Sequence, residues 1–106
     1  MERRIQEELN ILKKIIVSTV PVEKIYLFKS TEGKLHADSD LGFYVVISDK
    51  SNLRDIEAMK LIHKAIGAKK TIALDVIVGK KKKFDQLIFT PGLEQQLWQR
   101  GKVLYG

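Results

Sequence analysis

The chain contains no cysteine, so neither a disulfide framework nor a thiolate metal site is open to it. Its only two histidines, His36 and His63, do not fall at any local metal-ligand spacing. Proline occurs twice, at Pro21 and Pro91, and both mark breaks between periodic segments. No apolar run approaches the roughly 20 residues that a membrane-spanning helix needs. There is no internal repeat, no low-complexity segment and no Pro/Gly/Ser-rich linker. These absences exclude stapled secreted scaffolds, Cys-type zinc sites, membrane-spanning helices and solenoids.

What is present is the material of one ordinary domain. The 106 residues are 44% hydrophobic and 30% charged, a globular rather than a disordered balance. Lys plus Arg minus Asp plus Glu is 19 − 13 = +6, which favours an anionic partner: a nucleotide, a nucleic acid or an acidic protein surface. Met1-Glu2-Arg3-Arg4 leads into an amphipathic pattern rather than a signal peptide, so a cytoplasmic location without membrane contact is expected.

Ile5, Leu9, Leu12 and Ile16 recur at helical spacing and predict a helix over residues 3–18, closed by Pro21. Lys24 to Phe28 is β-branched and aromatic and predicts a first strand. Residues 29–39 are polar and predict a loop or a turn with a short helix, and residues 41–48 a second strand. Ser51 or Asn52 can cap a helix carrying Leu53, Ile56, Ile62 and Ile66, with Gly67 placed for a left-handed C-terminal residue. Thr71 to Val78 predicts a third strand, Lys80 to Lys83 a basic hinge, and residues 84–90 are ambiguous between a helix and a turn. Pro91 to Gly101 predicts a last helix, with Leu97 and Trp98 as core candidates and the indole also able to serve an interface. A short extended piece, Val103 to Tyr105, ends the chain. The expected architecture is α/β (α+β): a small mixed sheet with helices packed mainly on one face.

Three features point to chemistry. The first strand ends in Phe28-Lys29-Ser30. Asp40 stands at the mouth of the second strand, in Asp38-Ser39-Asp40-Leu41-Gly42-Phe43-Tyr44-Val45-Val46-Ile47. Asp75 lies within the otherwise apolar third strand, where a buried carboxylate would need a cation or a hydrogen-bonding partner. If the second and third strands are neighbours, Asp40 and Asp75 share a site. Positions 40 and 42 have the same parity along a strand, so a carboxylate at 42 would complete a pair suited to divalent cations, and this chain has Gly42 there.

In these residues the chain resembles the minimal nucleotidyltransferases of the polymerase-β-type superfamily, over nearly its whole length. That family has a strand ending in Gly-Ser, then an Asp-x-Asp, then a third Asp on a later strand. The resemblance extends to the closing Arg100-Gly101-Lys102-Val103-Leu104-Tyr105. It implies that residues 1–106 form one nucleotidyltransferase-like domain, transferring a nucleoside monophosphate from an NTP, ATP by expectation, to a hydroxyl with two Mg²⁺ ions. Ser30 matches the phosphate-binding serine, and Asp40 and Asp75 match the first and third metal carboxylates. Lys29 stands where the family has glycine, and Gly42 where it has the second aspartate. The resemblance therefore implies a transferase with an eroded site, weak or inactive, acting as the antitoxin-like partner of a small helical HEPN-type protein. Lys29 is the candidate counter-charge for Asp40 or Asp75.

Other readings of the same residues stand beside this one. Asp40 can terminate a turn, Asp75 can serve as an ion-pair partner on an exposed strand face, and Ser30 can cap a helix. Lys29 can hold phosphates in an active enzyme in which Asp38 supplies the missing ligand. His36 can face a nucleotide, and His63 can interact with a helix dipole. Lys80 to Lys83 can be a solvated charge run or the footprint of a nucleic acid, although no interleaved aromatic offers a base-stacking platform.

Overall fold

The computed structural model describes residues 3–29, 41–67 and 74–106. Helix α1 (Arg3–Thr19) turns Leu9, Leu12 and Ile16 inward along one stripe, and all three are buried. Thr19 Oγ1 donates to the Ile15 carbonyl at 2.6 Å, and Ser18 Oγ to those of Lys14 and Ile15, so hydroxyls take up carbonyls of the last turn before Pro21. Strand β1 (Val22–Lys29) then runs antiparallel to β2 (Leu41–Ile47), and Ser48 N–H donates to the Pro21 carbonyl at 2.9 Å, tying the end of β2 to the start of β1.

Helix α2 (Asp55–Ile66) is the crossover that a parallel pair requires, and it leads into β3 (Leu74–Lys80), which lies parallel to β2. Its start differs from the expected cap. Arg54 is the N-cap, and its N–H donates to Glu57 Oε1 at 2.8 Å, while Ser51 Oγ instead accepts from Leu53 N–H at 3.0 Å. Gly67 closes α2 without a left-handed residue, at φ −24°.

The expected basic hinge is helical. Lys81 to Lys83 form the first turn of α3 (Lys81–Leu87), and the Asp49 carboxylate accepts the Lys82 N–H at 2.9 and 3.2 Å. Helix α4 (Leu93–Arg100) starts two residues after Pro91, and β4 (Lys102–Tyr105) pairs antiparallel with β1.

Among the described residues the sheet order is β3-β2-β1-β4. The long helices α1 and α2 cover one face, over Ile25, Leu27, Phe43, Val45, Val76 and Val78. The alternate residues Tyr26, Tyr44 and Val46 face a second, smaller core closed by Phe84 of α3 and Leu97 of α4. Strand β2 is buried on both faces from Gly42 to Ile47, which is why its sequence is a continuous apolar run rather than an alternating one. In α4 only Leu97 of the two core candidates is buried. Trp98, about 100° further round the helix, is 58% exposed.

Candidate functional site

The expected adjacency of the second and third strands holds, and it defines the site. In the parallel register Gly42 stands beside Asp75, and in the antiparallel register it stands opposite Phe28. All three positions lie on the sheet face that carries α3 and α4. Asp75 is exposed, not buried as its apolar surroundings in sequence suggest. Among the described residues β3 is a sheet edge, and its carboxylate reaches water, where it needs no compensating partner. Asp40, Ser30, Asp38 and His36 lie outside the described residues. Lys29 pairs through its backbone with Leu41, and its side chain lies outside the described part. His63 is exposed in the last turn of α2.

The place beside Asp75 where a second carboxylate would project is filled. A β-carbon at position 42 would come within 2.7 and 2.8 Å of Cε2 and Cε1 of Phe28, and closer still to Cζ. Real β-carbons do not make such contacts with a packed ring, so the Phe28 ring occupies the space that glycine leaves free. No sequence pattern gives this directly. It requires the β1–β2 register, in which Phe28 and Gly42 are partners.

The site therefore offers, among the described residues, one carboxylate. No group of three potential metal-ligating side chains occurs among them. A lone exposed carboxylate does not by itself make a cation site, and Asp40, the other expected ligand, lies outside the described residues.

Further along the same face, the buried Tyr44 hydroxyl donates to Glu94 Oε2 at 2.9 Å. Burial pushes the Tyr44 hydroxyl pKa well above its ordinary value near 10, and the hydrogen bond and negative charge of Glu94 push it in the same direction. Gly79 on β3 makes room for this hydroxyl, since a β-carbon there would lie 2.6 Å from it. Glu94 stands in the first turn of α4, where the helix dipole favours a carboxylate. Neither Tyr44 nor Glu94 stands out in the sequence, because they are fifty residues apart and only the fold brings them together.

A cavity of about 360 Å³ opens next to Phe28. Pairing of β4 with β1 begins at Lys102 opposite Leu27, so β1 runs on past the start of β4 and leaves a notch at the sheet edge. Leu41, Leu93 and Leu97 supply apolar lining, and Gln96, Arg100 and Lys102 supply the polar part.

The lysine run is held within the molecule. Lys80 Nζ donates to the Ser51 carbonyl at 2.8 Å, Lys81 pairs with Asp85 at 2.5 Å, and Lys83 lies 4.0 Å from Asp55. No family model, curated protein or solved structure matches this chain.

Proposed function

We propose that the chain is a nucleotidyltransferase-like protein that does not carry out two-metal nucleotidyl transfer and acts instead by binding a protein partner. The reading begins from the resemblance in Ser30, Asp40 and Asp75, and the observation that carries it is the Phe28 ring seated over Gly42 beside Asp75. A site poised for a second carboxylate would keep that space open, whereas here an aromatic side chain seals it. The partner implied by the resemblance is a small helical HEPN-type protein, which the chain would restrain in the manner of an antitoxin. Trp98 and Phe89, respectively 58% and 81% exposed, supply aromatic surface of the kind enriched at protein interfaces.

The test is calorimetric titration with ATP in the presence and absence of MgCl₂. The natural chain is expected to show no Mg²⁺-dependent binding. A Phe28→Ala/Gly42→Asp/Lys29→Gly variant, in which the ring that blocks position 42 is removed together with the two departures from the family pattern, is expected to gain it. Mg²⁺-dependent ATP binding by the natural chain, with transfer of AMP to any hydroxyl acceptor, overturns the reading.

A further inference from the structure

We propose that the notch beside Phe28 is a binding site for a small amphipathic anion, a molecule with a flat apolar body and one carboxylate or phosphate head. The volume of about 360 Å³ falls within the roughly 300–1,000 Å³ typical of small-molecule sites. Its lining is mostly apolar with a few polar residues, as is common in such sites. Phe28, Leu41, Leu93 and Leu97 offer a surface for the body, with the Phe28 ring available for offset or edge-to-face packing.

The charged groups among the described lining residues favour an anionic head. Arg100 and Lys102 both line the cavity, and no carboxylate lines it among the described residues. Neither cation has an ion-pair partner among the described residues, unlike Lys81 with Asp85, Arg54 with Glu57 and Arg3 with Glu7. Arg100 is in the last turn of α4, whose C-terminal end carries about half a negative charge, so two full cations leave the local field positive. A guanidinium fork matches a carboxylate or phosphate in two parallel hydrogen bonds, whereas Lys102, paired with Leu27 of the α1/α2 core, starts from the other face of the sheet and adds positive field at the rim. Gln96, on the same face of α4 one turn before Arg100, adds a neutral donor and acceptor. This site uses neither Asp75 nor a metal; it shares Phe28 with the proposed function, but its test reads the response to Arg100 and Lys102 rather than Mg²⁺-dependent ATP binding, so the two can fail separately.

The test is an amide NMR titration of the full chain with phenyl phosphate and with phenylacetate, and with inorganic phosphate and benzyl alcohol as the separate head and body. Both amphipathic anions are expected to give saturable shifts confined to Phe28, Leu41 and the stretch from Leu93 to Lys102. Each should bind about tenfold more tightly than inorganic phosphate or benzyl alcohol. The ratio of the two affinities tells a phosphate head from a carboxylate head. An Arg100→Gln/Lys102→Gln variant should retain the benzyl alcohol response and lose about tenfold in affinity for both anions. Three results would each overturn the proposal: shifts centred on Lys80 to Lys83, inorganic phosphate binding as tightly as phenyl phosphate, or unchanged anion affinity in the double variant.

Discussion

Gly42 and Phe28 behave as one unit, because the ring of one occupies the space of the other's missing side chain. Gly42→Asp alone forces the ring out of a packed position and sets a carboxylate against it. Overpacking of this kind costs about 1–3 kcal/mol. Phe28→Ala/Gly42→Asp should recover much of that difference relative to Phe28→Ala alone, so urea denaturation of the four chains gives a double-mutant cycle with a clear coupling energy. Additive effects would mean the ring and position 42 do not compete. Tyr44 carries a prediction of a different kind. Its folded-state pKa is raised above the ordinary value near 10, so the folded chain holds this proton more tightly than the unfolded one. The resulting stability is fully present below about pH 10 and is lost as pH rises above it. Wild-type stability should therefore fall more steeply between pH 9 and 11 than that of Tyr44→Phe, measured by denaturation at each pH. At pH 7 the same substitution should cost about 1 kcal/mol for the lost hydrogen bond to Glu94.

At the scale of elements, the segments with strong periodicity were legible and those held by distant contacts were not. The stripe of Leu9, Leu12 and Ile16 announces α1, and the apolar run from Phe43 to Ile47 announces the central strand. Helix α3 is hidden because its sequence carries a run of lysines and a single buried apolar anchor, Phe84. That ring packs 5.4 Å from Tyr26 and 5.3 Å from Tyr44, centroid to centroid, and both partners come from strands remote in sequence. The carboxylate that accepts a first-turn N–H of α3 is equally remote, since Asp49 lies 33 residues before Lys82, while the N-cap itself, Lys80, makes no side-chain capping bond. Asp49→Ala should cost about 1 kcal/mol, as loss of a side-chain acceptor at a helix start does. Hydrogen exchange should show faster exchange at the amides of α3 and little change in α1. Uniform loss of protection across the chain would instead place Asp49 in the global core.

At the scale of the whole molecule, a small mixed sheet and its principal helical layer could be read from the order of periodic segments, whereas β4 was expected only as a short extended piece. The environment of the candidate site could not. Asp75 reads as buried because Ile, Leu and Val surround it in sequence, yet it is exposed on β3, a sheet edge among the described residues, which is a fact of topology rather than of local pattern. The cavity is likewise a product of register, created where β4 begins one residue short of Phe28. The excess charge of +6 was visible, but its placement was not. In the lysine run, Lys80 Nζ donates to the Ser51 carbonyl, and the partly exposed Lys81 and Lys83 ammonium groups lie beside Asp85 and Asp55. Such exposed pairs each contribute at most about 1 kcal/mol.

The interlock between positions 28 and 42 also restricts how this chain can change. An aspartate at 42 is well accommodated only once residue 28 is small, and a small residue at 28 without the aspartate gives up the packing of a half-buried ring against the second core. Each single step is therefore disfavoured, although the two together are compatible. Moving between a sealed site and one with a carboxylate at 42 requires crossing a less stable intermediate in either direction. The present arrangement is thus a local optimum in sequence space, and directed evolution that screens one substitution at a time will tend to leave it intact.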